Sequence, residues 1–152
     1  MEYYCHVNYC ITKMRVLLAD DSSLILERLQ EMISIHNQVE IVGTYKNGTD
    51  TLSALRILKP DLAIVDIKME GLSGLDVLNE IRKENKTLKF IIFSFHASDY
   101  YRQLAIQSYA DYFFSKVDDF EKLTQVVADM VLRETNINAS TSTAGIKNLV
   151  TR

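Results

Sequence analysis

Five side chains in this sequence could share one piece of chemistry: Asp20, Asp21, Asp66, Ser94 and Lys116. They are three carboxylates, a hydroxyl and an ammonium. Carboxylates brought together repel one another and raise each other's pKa unless a cation joins them. Hard oxygen ligands with room left for water suit Mg²⁺, which keeps several waters and prefers one or two carboxylates plus phosphate oxygens. A carboxylate in that setting can act as nucleophile and take up a phosphoryl group as an acyl phosphate. The metal, an ammonium and a hydroxyl donor then stabilise charge on the transferring phosphoryl oxygens. Residues so far apart in the chain can do this only if the fold gathers them.

The pattern of apolar residues supplies such a fold. Short runs rich in Val, Ile, Leu and Phe predict strands at Arg15–Ala19, Val39–Gly43, Leu62–Val65, Phe90–Phe93 and Tyr112–Phe114. Three of them are apolar throughout, as strands covered on both faces are, whereas Val39-Glu40-Ile41 alternates and suits a sheet edge. Between them run helical stripes: Ile25, Leu29, Met32 and Ile33; Leu52, Leu55 and Leu58; Leu75, Leu78 and Ile81; Tyr101, Leu104 and Ala105; and Leu123, Val126, Val127, Met130 and Val131. The first helix is expected over Leu24 to Ile35. Asn47-Gly48 marks a turn before the second helix and Pro60 punctuates its end. Asp118 followed by Glu121 resembles a capping box before the last helix. Five strand–helix alternations imply a parallel α/β sandwich with right-handed crossovers. In such sheets ligands bind outside the carboxyl ends of the strands. Asp20 and Asp21 follow the first predicted strand, Asp66 the third, Ser94 ends the fourth and Lys116 follows the fifth; Gly43-Thr44 at the end of the second offers nothing comparable.

Composition narrows the function classes. The chain has 152 residues, 47% hydrophobic and 24% charged, enough for one domain with its own core. Its net charge of −3 argues against a nucleic-acid footprint. No apolar run approaches the roughly 18–20 residues of a membrane span. Met1-Glu2-Tyr3-Tyr4-Cys5-His6 lacks the basic and apolar regions of a secretory signal, so a cytoplasmic protein is expected. Cys5, His6 and Cys10 are close enough to suggest metal ligands, but a fourth is missing, and reduced thiols in a leader are the plainer reading. The expected organisation is a flexible leader at 1–13, a domain at 14–134 and a polar, flexible tail at 135–152.

The stretches Val16-Leu17-Leu18-Ala19-Asp20-Asp21-Ser22, Ile64-Val65-Asp66-Ile67-Lys68-Met69-Glu70-Gly71-Leu72-Ser73-Gly74, Ile91-Ile92-Phe93-Ser94 and Ala110-Asp111-Tyr112-Phe113-Phe114-Ser115-Lys116 resemble the receiver domain of two-component response regulators. In this order and spacing they cover about residues 14 to 133. The resemblance implies a doubly wound, flavodoxin-like fold with five helices and strand order 2-1-3-4-5. It implies that Asp66 is the phosphoacceptor and Lys116 contacts the phosphoryl group. Mg²⁺ would be held by Asp20, Asp21, Asp66 and the backbone carbonyl of Lys68. Ser94 and Phe113 would form the switch pair, the hydroxyl moving to the acyl phosphate and the ring turning toward the space it leaves. Lys68 and His96 stand where family members tune the path of hydrolytic water. Two departures are visible: Glu70 stands where Pro is common, and Val117 follows Lys116 where a cis-proline is frequent. A non-prolyl cis bond costs roughly 2.5–4 kcal/mol, so a trans bond is expected.

The resemblance further implies phosphorylation by a sensor histidine kinase or phosphotransfer protein, with the first helix helping to dock the donor. Output would pass through the face of the fourth helix, fifth strand and fifth helix. Tyr100, Tyr101, Tyr109 and Tyr112 lie there with Phe113 and Phe114. That face would serve a downstream protein or a homodimer. Too little chain follows residue 134 for a helix-turn-helix domain, so a stand-alone signalling module, without catalytic turnover of a separate substrate, is expected. The alternatives are a receiver-fold interaction module that phosphorylation does not regulate, and a phosphatase of the haloacid dehalogenase type. The latter needs Asp-x-Asp after the first strand, where this chain has Asp20-Asp21-Ser22.

Overall fold

The structure is a computed structural model and describes residues 12–147. The leader residues Cys5, His6 and Cys10, the tyrosines 3, 4 and 9, and residues 148–152 lie outside the described residues. Five strands alternate with five helices: β1 (Met14–Ala19), α1 (Ser23–Ile33), β2 (Val39–Tyr45), α2 (Gly48–Leu58), β3 (Leu62–Val65), α3 (Gly74–Arg82), β4 (Lys89–Ser94), α4 (Asp99–Gln107), β5 (Tyr112–Ser115) and α5 (Phe120–Lys147). All strand pairs are parallel, in the order β2-β1-β3-β4-β5. This is the expected doubly wound topology, with the Glu40-bearing strand at one edge.

Alternation along the strands divides the interior. Val16 and Leu18 of β1, Ile64 of β3, and Ile91 and Phe93 of β4 face α1 and α5, meeting Leu29, Ile33, Leu123 and Val127. Leu17, Ala19, Ala63, Val65, Phe90 and Ile92 face the other way and meet Leu52, Leu55, Val77, Leu78 and Ile81. Of the helices on that side, α4 holds least, with Ala105 as its buried residue.

Helix starts are set by capping side chains. Ser22, Asn47, Ser73 and Ser98 each accept a backbone N–H of the first turn, and Ser73 with Asp76 forms a full capping box. Asn47-Gly48 is therefore a cap and first helical residue rather than a free turn. The capping box expected at Asp118 does not form in that register. The helix begins at Phe120, and the residue before it, Asp119, turns its carboxylate to the Ser115 N–H at 2.8 Å. α1 ends at Ile33, leaving Ile35 76% exposed. The largest difference is at the C-terminal side, where α5 continues as helix to Lys147 through residues expected to be an aperiodic tail. Asn, Ser and Thr are only some tenths of a kcal/mol poorer than Ala in a helix. No proline occurs there and glycine first appears at Gly145, so a helix nucleated on the packed Phe120–Val131 half propagates.

Candidate functional site

Hydrogen bonds at the sheet's carboxyl edge bring the strand ends into line. The Asp20 N–H donates to the Tyr45 carbonyl, Asp66 N–H to Ala19, and Lys116 N–H to Ser94, at 2.9, 2.9 and 3.0 Å. Asp20, Asp66 and Lys116 are thereby set side by side. The Lys116 ammonium is buried between two carboxylates, bonded to Asp20 Oδ2 and, at 3.0 Å, to Asp66 Oδ2. The remaining oxygens are engaged too: Asp20 Oδ1 accepts from the Ser22 N–H at 2.9 Å and Asp66 Oδ1 from the Ile67 N–H at 2.7 Å.

Asp21 is exposed, and one oxygen each of Asp20, Asp21 and Asp66 lies within 4.8 Å of the others. Three carboxylates around one ammonium leave an excess of negative charge. Burial adds to the strain of that arrangement at Asp20, where desolvation pushes the carboxyl from 3.8 up to about 6. Hydrogen bonds from Lys116 and Ser22 oppose that rise, and the Asp66 charge adds to it. A desolvated, electron-rich set of hard oxygens open to water on the Asp21 side fits a small divalent cation. Among the described residues this is where such a cluster forms.

These groups line a cleft of about 260 Å³, together with Lys68, His96 and Phe95. Lys68 is exposed and His96 half-buried, and both line the cleft. Ser94 is buried, and its hydroxyl accepts the His96 N–H at 3.1 Å rather than lining the cleft. Phe113 stands apart from the cleft. Its half-buried ring packs on the second core, with the Arg102 guanidinium 4.8 Å from its centroid. The Lys116–Val117 bond is trans, as expected for a valine. Phe95 was missed by sequence reasoning: it is 59% exposed, and Lys116 Nζ lies 5.1 Å from its ring centroid. Its signal was an apolar residue placed directly after a predicted strand end.

Gly74 belongs to the site as well. A Cβ there would lie 2.0 Å from the Asp66 carbonyl oxygen, so the first residue of α3 must be glycine for β3 and α3 to approach this closely. A larger cleft of about 760 Å³ lies away from these groups, beside Arg82, Lys86 and Tyr109. There the Arg82 guanidinium is committed to Asp111 and to the Tyr109 and Leu88 carbonyls, a structural clasp rather than a receptive site. Among the described residues no helix is long and apolar enough to cross a membrane.

Residues 16–128 match the response regulator receiver domain family. A protein-glutamate methylesterase/protein-glutamine glutaminase of Syntrophomonas wolfei is 39% identical over 82 residues, which is 54% of this chain and 23% of that protein. A nitrate/nitrite response regulator protein homolog of Haemophilus influenzae is 34% identical over 80 residues, 53% of this chain and 38% of that protein. The chain thus spans well under two thirds of these relatives' length. The signal receiver domain of the response regulator NarL from Mycobacterium tuberculosis matches with a TM-score of 0.73 and 26% identity, over 79% of this chain and 97% of that one. The fold is shared with the CheX–CheY complex from Borrelia burgdorferi containing BeF3 and Mg, at a TM-score of 0.71 and 21% identity, over 78% and 90% of the chains.

Proposed function

Because the chain belongs to the response regulator receiver domain family, we propose that it accepts a phosphoryl group on Asp66 and thereby switches a protein-interaction surface. The observation that carries this reading is the buried Lys116 ammonium joined to the carboxylates of both Asp20 and Asp66. In the transfer, an Asp66 oxygen bonds to phosphorus as the donor's P–N or P–O bond breaks, and that bond's electrons leave with the donor. The donor is a sensor histidine kinase or a phosphotransfer protein. Asp20, Asp21, Asp66 and the Lys68 carbonyl are the groups that would hold Mg²⁺, which when bound neutralises charge on the phosphoryl oxygens. Lys116 exchanges a carboxylate for a phosphoryl oxygen. The Ser94 hydroxyl leaves the His96 N–H for another, and Phe113 responds to the vacated space.

The output surface is the face of α4, β5 and α5, where Tyr100 and Tyr109 are 67% and 76% exposed. Tyrosine suits partner contacts, with apolar area and a polar tip. A downstream protein or a second copy of the chain docks there, and neither nucleic acid nor membrane is a direct partner. The chain acts in the cytoplasm and, although its methylesterase relatives are enzymes, performs no chemistry beyond its own phosphorylation and dephosphorylation. Lys68 and His96 border the water path. Replacing either with Ala changes the autodephosphorylation rate, and lifetimes equal to the parent's would remove that role.

The test is an intact mass after incubation with Mg²⁺ and acetyl phosphate. One added phosphoryl group is expected, absent in Asp66→Asn and in EDTA. No adduct, and no spectral change with beryllofluoride, would replace this reading with an interaction module that phosphorylation does not regulate.

A further inference from the structure

A cleft of about 420 Å³ runs under the amino edge of the sheet, at the opposite end of the strands from Asp66. Its floor is made by the starts of four strands in spatial order: Met14 of β1, Asp61 just before β3, Lys89 of β4 and Tyr112 of β5. Its wall is α5, through Met130 and Arg133. Met130 is half-buried, packed on the core beneath α1 and α5. Tyr112 is 38% exposed at the far end, its ring stacked on Phe114. At ~30 Å³ per water the cleft has room for about fourteen waters, the space of a few side chains and not of a whole domain. The chain itself arrives here. Met14, where β1 begins, lines the cleft, and residues 1–11 lead directly to it. In that stretch Val7-Asn8-Tyr9-Cys10-Ile11-Thr12 alternates an apolar residue with a small or polar one, the period of a half-buried extended segment. Glu2 is the one Asp, Glu, Lys or Arg among residues 1–11, against 24% in the whole chain, so this stretch gains little from staying in water.

The geometry points to this cleft as the docking site of the chain's own residues 7–11, with Val7, Tyr9 and Ile11 turned toward it. From β1 to β5 is three strand steps of about 4.8 Å, or about 14 Å. Tyr9 stands five residues before Met14, about 17 Å of extended chain at ~3.3 Å per residue. An extended segment leaving Met14 therefore brings Ile11 to the level of β4 and Tyr9 to that of β5. Tyrosine matches the lining there. Its ring fits beside Met130, whose flexible thioether adapts to it, and beside Tyr112, and its hydroxyl suits the polar side made by Lys89 and Arg133. Tethered at Met14, the segment meets the cleft at an effective concentration of the order of millimolar, which a free partner must exceed to displace it. Docked, it covers Tyr112 and removes that ring from the surface open to partners. None of this depends on whether Asp66 takes a phosphoryl group.

The experiment uses the full chain. Cys5 and Cys10 are its two cysteines, so Cys5→Ser leaves one thiol, on the opposite parity from Tyr9 and Ile11 and thus turned away from the cleft. A nitroxide is attached to that thiol, and the backbone amide signals of isotopically labelled protein are compared before and after the nitroxide is reduced. Docking predicts loss of the Lys89, Tyr112 and Arg133 signals while that of Val39 is kept. Val39 decides because it pairs with Met14 from the strand on the other side of β1, whereas β5 is three strands away, so an undocked tether broadens Val39 first. Tyr9→Asn combined with Ile11→Asn should abolish the asymmetry. Val39 broadened as strongly as Tyr112 would overturn the inference, and so would an asymmetry that survives the double variant. Mixing nitroxide-bearing chains that carry no isotope with labelled chains that carry no nitroxide should leave Tyr112 sharp; broadening there would make a second copy the occupant and overturn the inference as well. The assay needs neither Mg²⁺ nor a phosphodonor, so its outcome stands apart from that of phosphoryl transfer.

Discussion

Replacing Asp20 with Asn tests the electrostatic reasoning most directly. Asp20 is 1% exposed, and burial raises its carboxyl from 3.8 to about 6 despite the neighbouring Lys116. Its pKa is thus higher in the folded than in the unfolded chain, and between those values the native state binds more protons. The stability it contributes is complete below about pH 4 and is lost as pH rises to about 6. The interval from 3.8 to about 6, at ~1.4 kcal/mol per pH unit, corresponds to about 3 kcal/mol. Asn has no proton to lose and nearly the same shape. In EDTA, the unfolding free energy of Asp20→Asn minus that of the parent should therefore grow by about 3 kcal/mol between pH 4 and pH 7, then level off. Relief of repulsion with Asp66 acts in the same direction. Mg²⁺ should narrow the difference at pH 7.5, because a cation that binds the charged native cluster stabilises the parent by mass action and the variant less. Urea unfolding followed by far-UV circular dichroism, at four pH values with and without Mg²⁺, measures both. A pH-independent difference, or one that shrinks as pH rises, would refute the claim that desolvation dominates at Asp20.

Gly74→Ala drives a Cβ to 2.0 Å from the Asp66 carbonyl oxygen, so α3 must shift by more than an ångström, at a cost of about 1–3 kcal/mol in urea unfolding and with slower labelling by acetyl phosphate. Lys116→Ala leaves two buried carboxylates without their ammonium; the expected loss is about 3 kcal/mol at pH 7.5 in EDTA, largely recovered with Mg²⁺. Asp119→Asn removes a carboxylate held below its ordinary value of 3.8, chiefly by the Ser115 N–H. That stabilisation is present above about pH 4 and lost as pH falls through the folded value, so parent and variant should differ at pH 7 and converge in acid unfolding.

How much of this was legible depended on the physics each feature rests on. β3 is read to the residue, Leu62–Val65, and the other strands to within one or two, because a short apolar run with turn or charged residues at its ends has few other places to go. The site followed from the strands: once Asp20, Asp66 and Lys116 stand at parallel strand ends, a sheet delivers them together. Caps were legible in principle, since Asn47 and Ser73 each precede an Asp by three residues, but the same signal at Asp118 was off by one. That error arises because Asp118 and Asp119 are adjacent carboxylates, and only the tertiary bond to Ser115 decides between them. Phe95 was illegible for a different reason. Periodicity tells that a phenylalanine follows a strand, not that no core face awaits it. The helical course of the chain to Lys147 was not legible because the residues from about 135 onward are polar and carry no apolar period from which a helix could be read.

The arrangement of backbone bonds says where a change at Asp66 would be felt. Lys116 N–H donates to the Ser94 carbonyl, and Ser94 pairs in register with Ser115, so the loop carrying Phe95 and His96 and the end of β5 are one mechanical unit. Two register steps back, Ile92 pairs with Phe113, whose ring and carbonyl are held by Arg102 of α4. Drawing Lys116 or Ser94 toward a new charge therefore loads the contact that ties α4 to the sheet. That helix has Ala105 as its buried anchor, against five buried residues in α3. Few buried apolar contacts mean a low cost of local displacement. The fold thus couples its most charged point to its least anchored helix. On that helix Tyr100 is 67% exposed, with its ring 5.4 Å from that of Tyr101, which in turn meets His96 at 6.0 Å. A chain of aromatic contacts runs from the wall of the cleft to the outer surface, along the helix with the least to hold it in place.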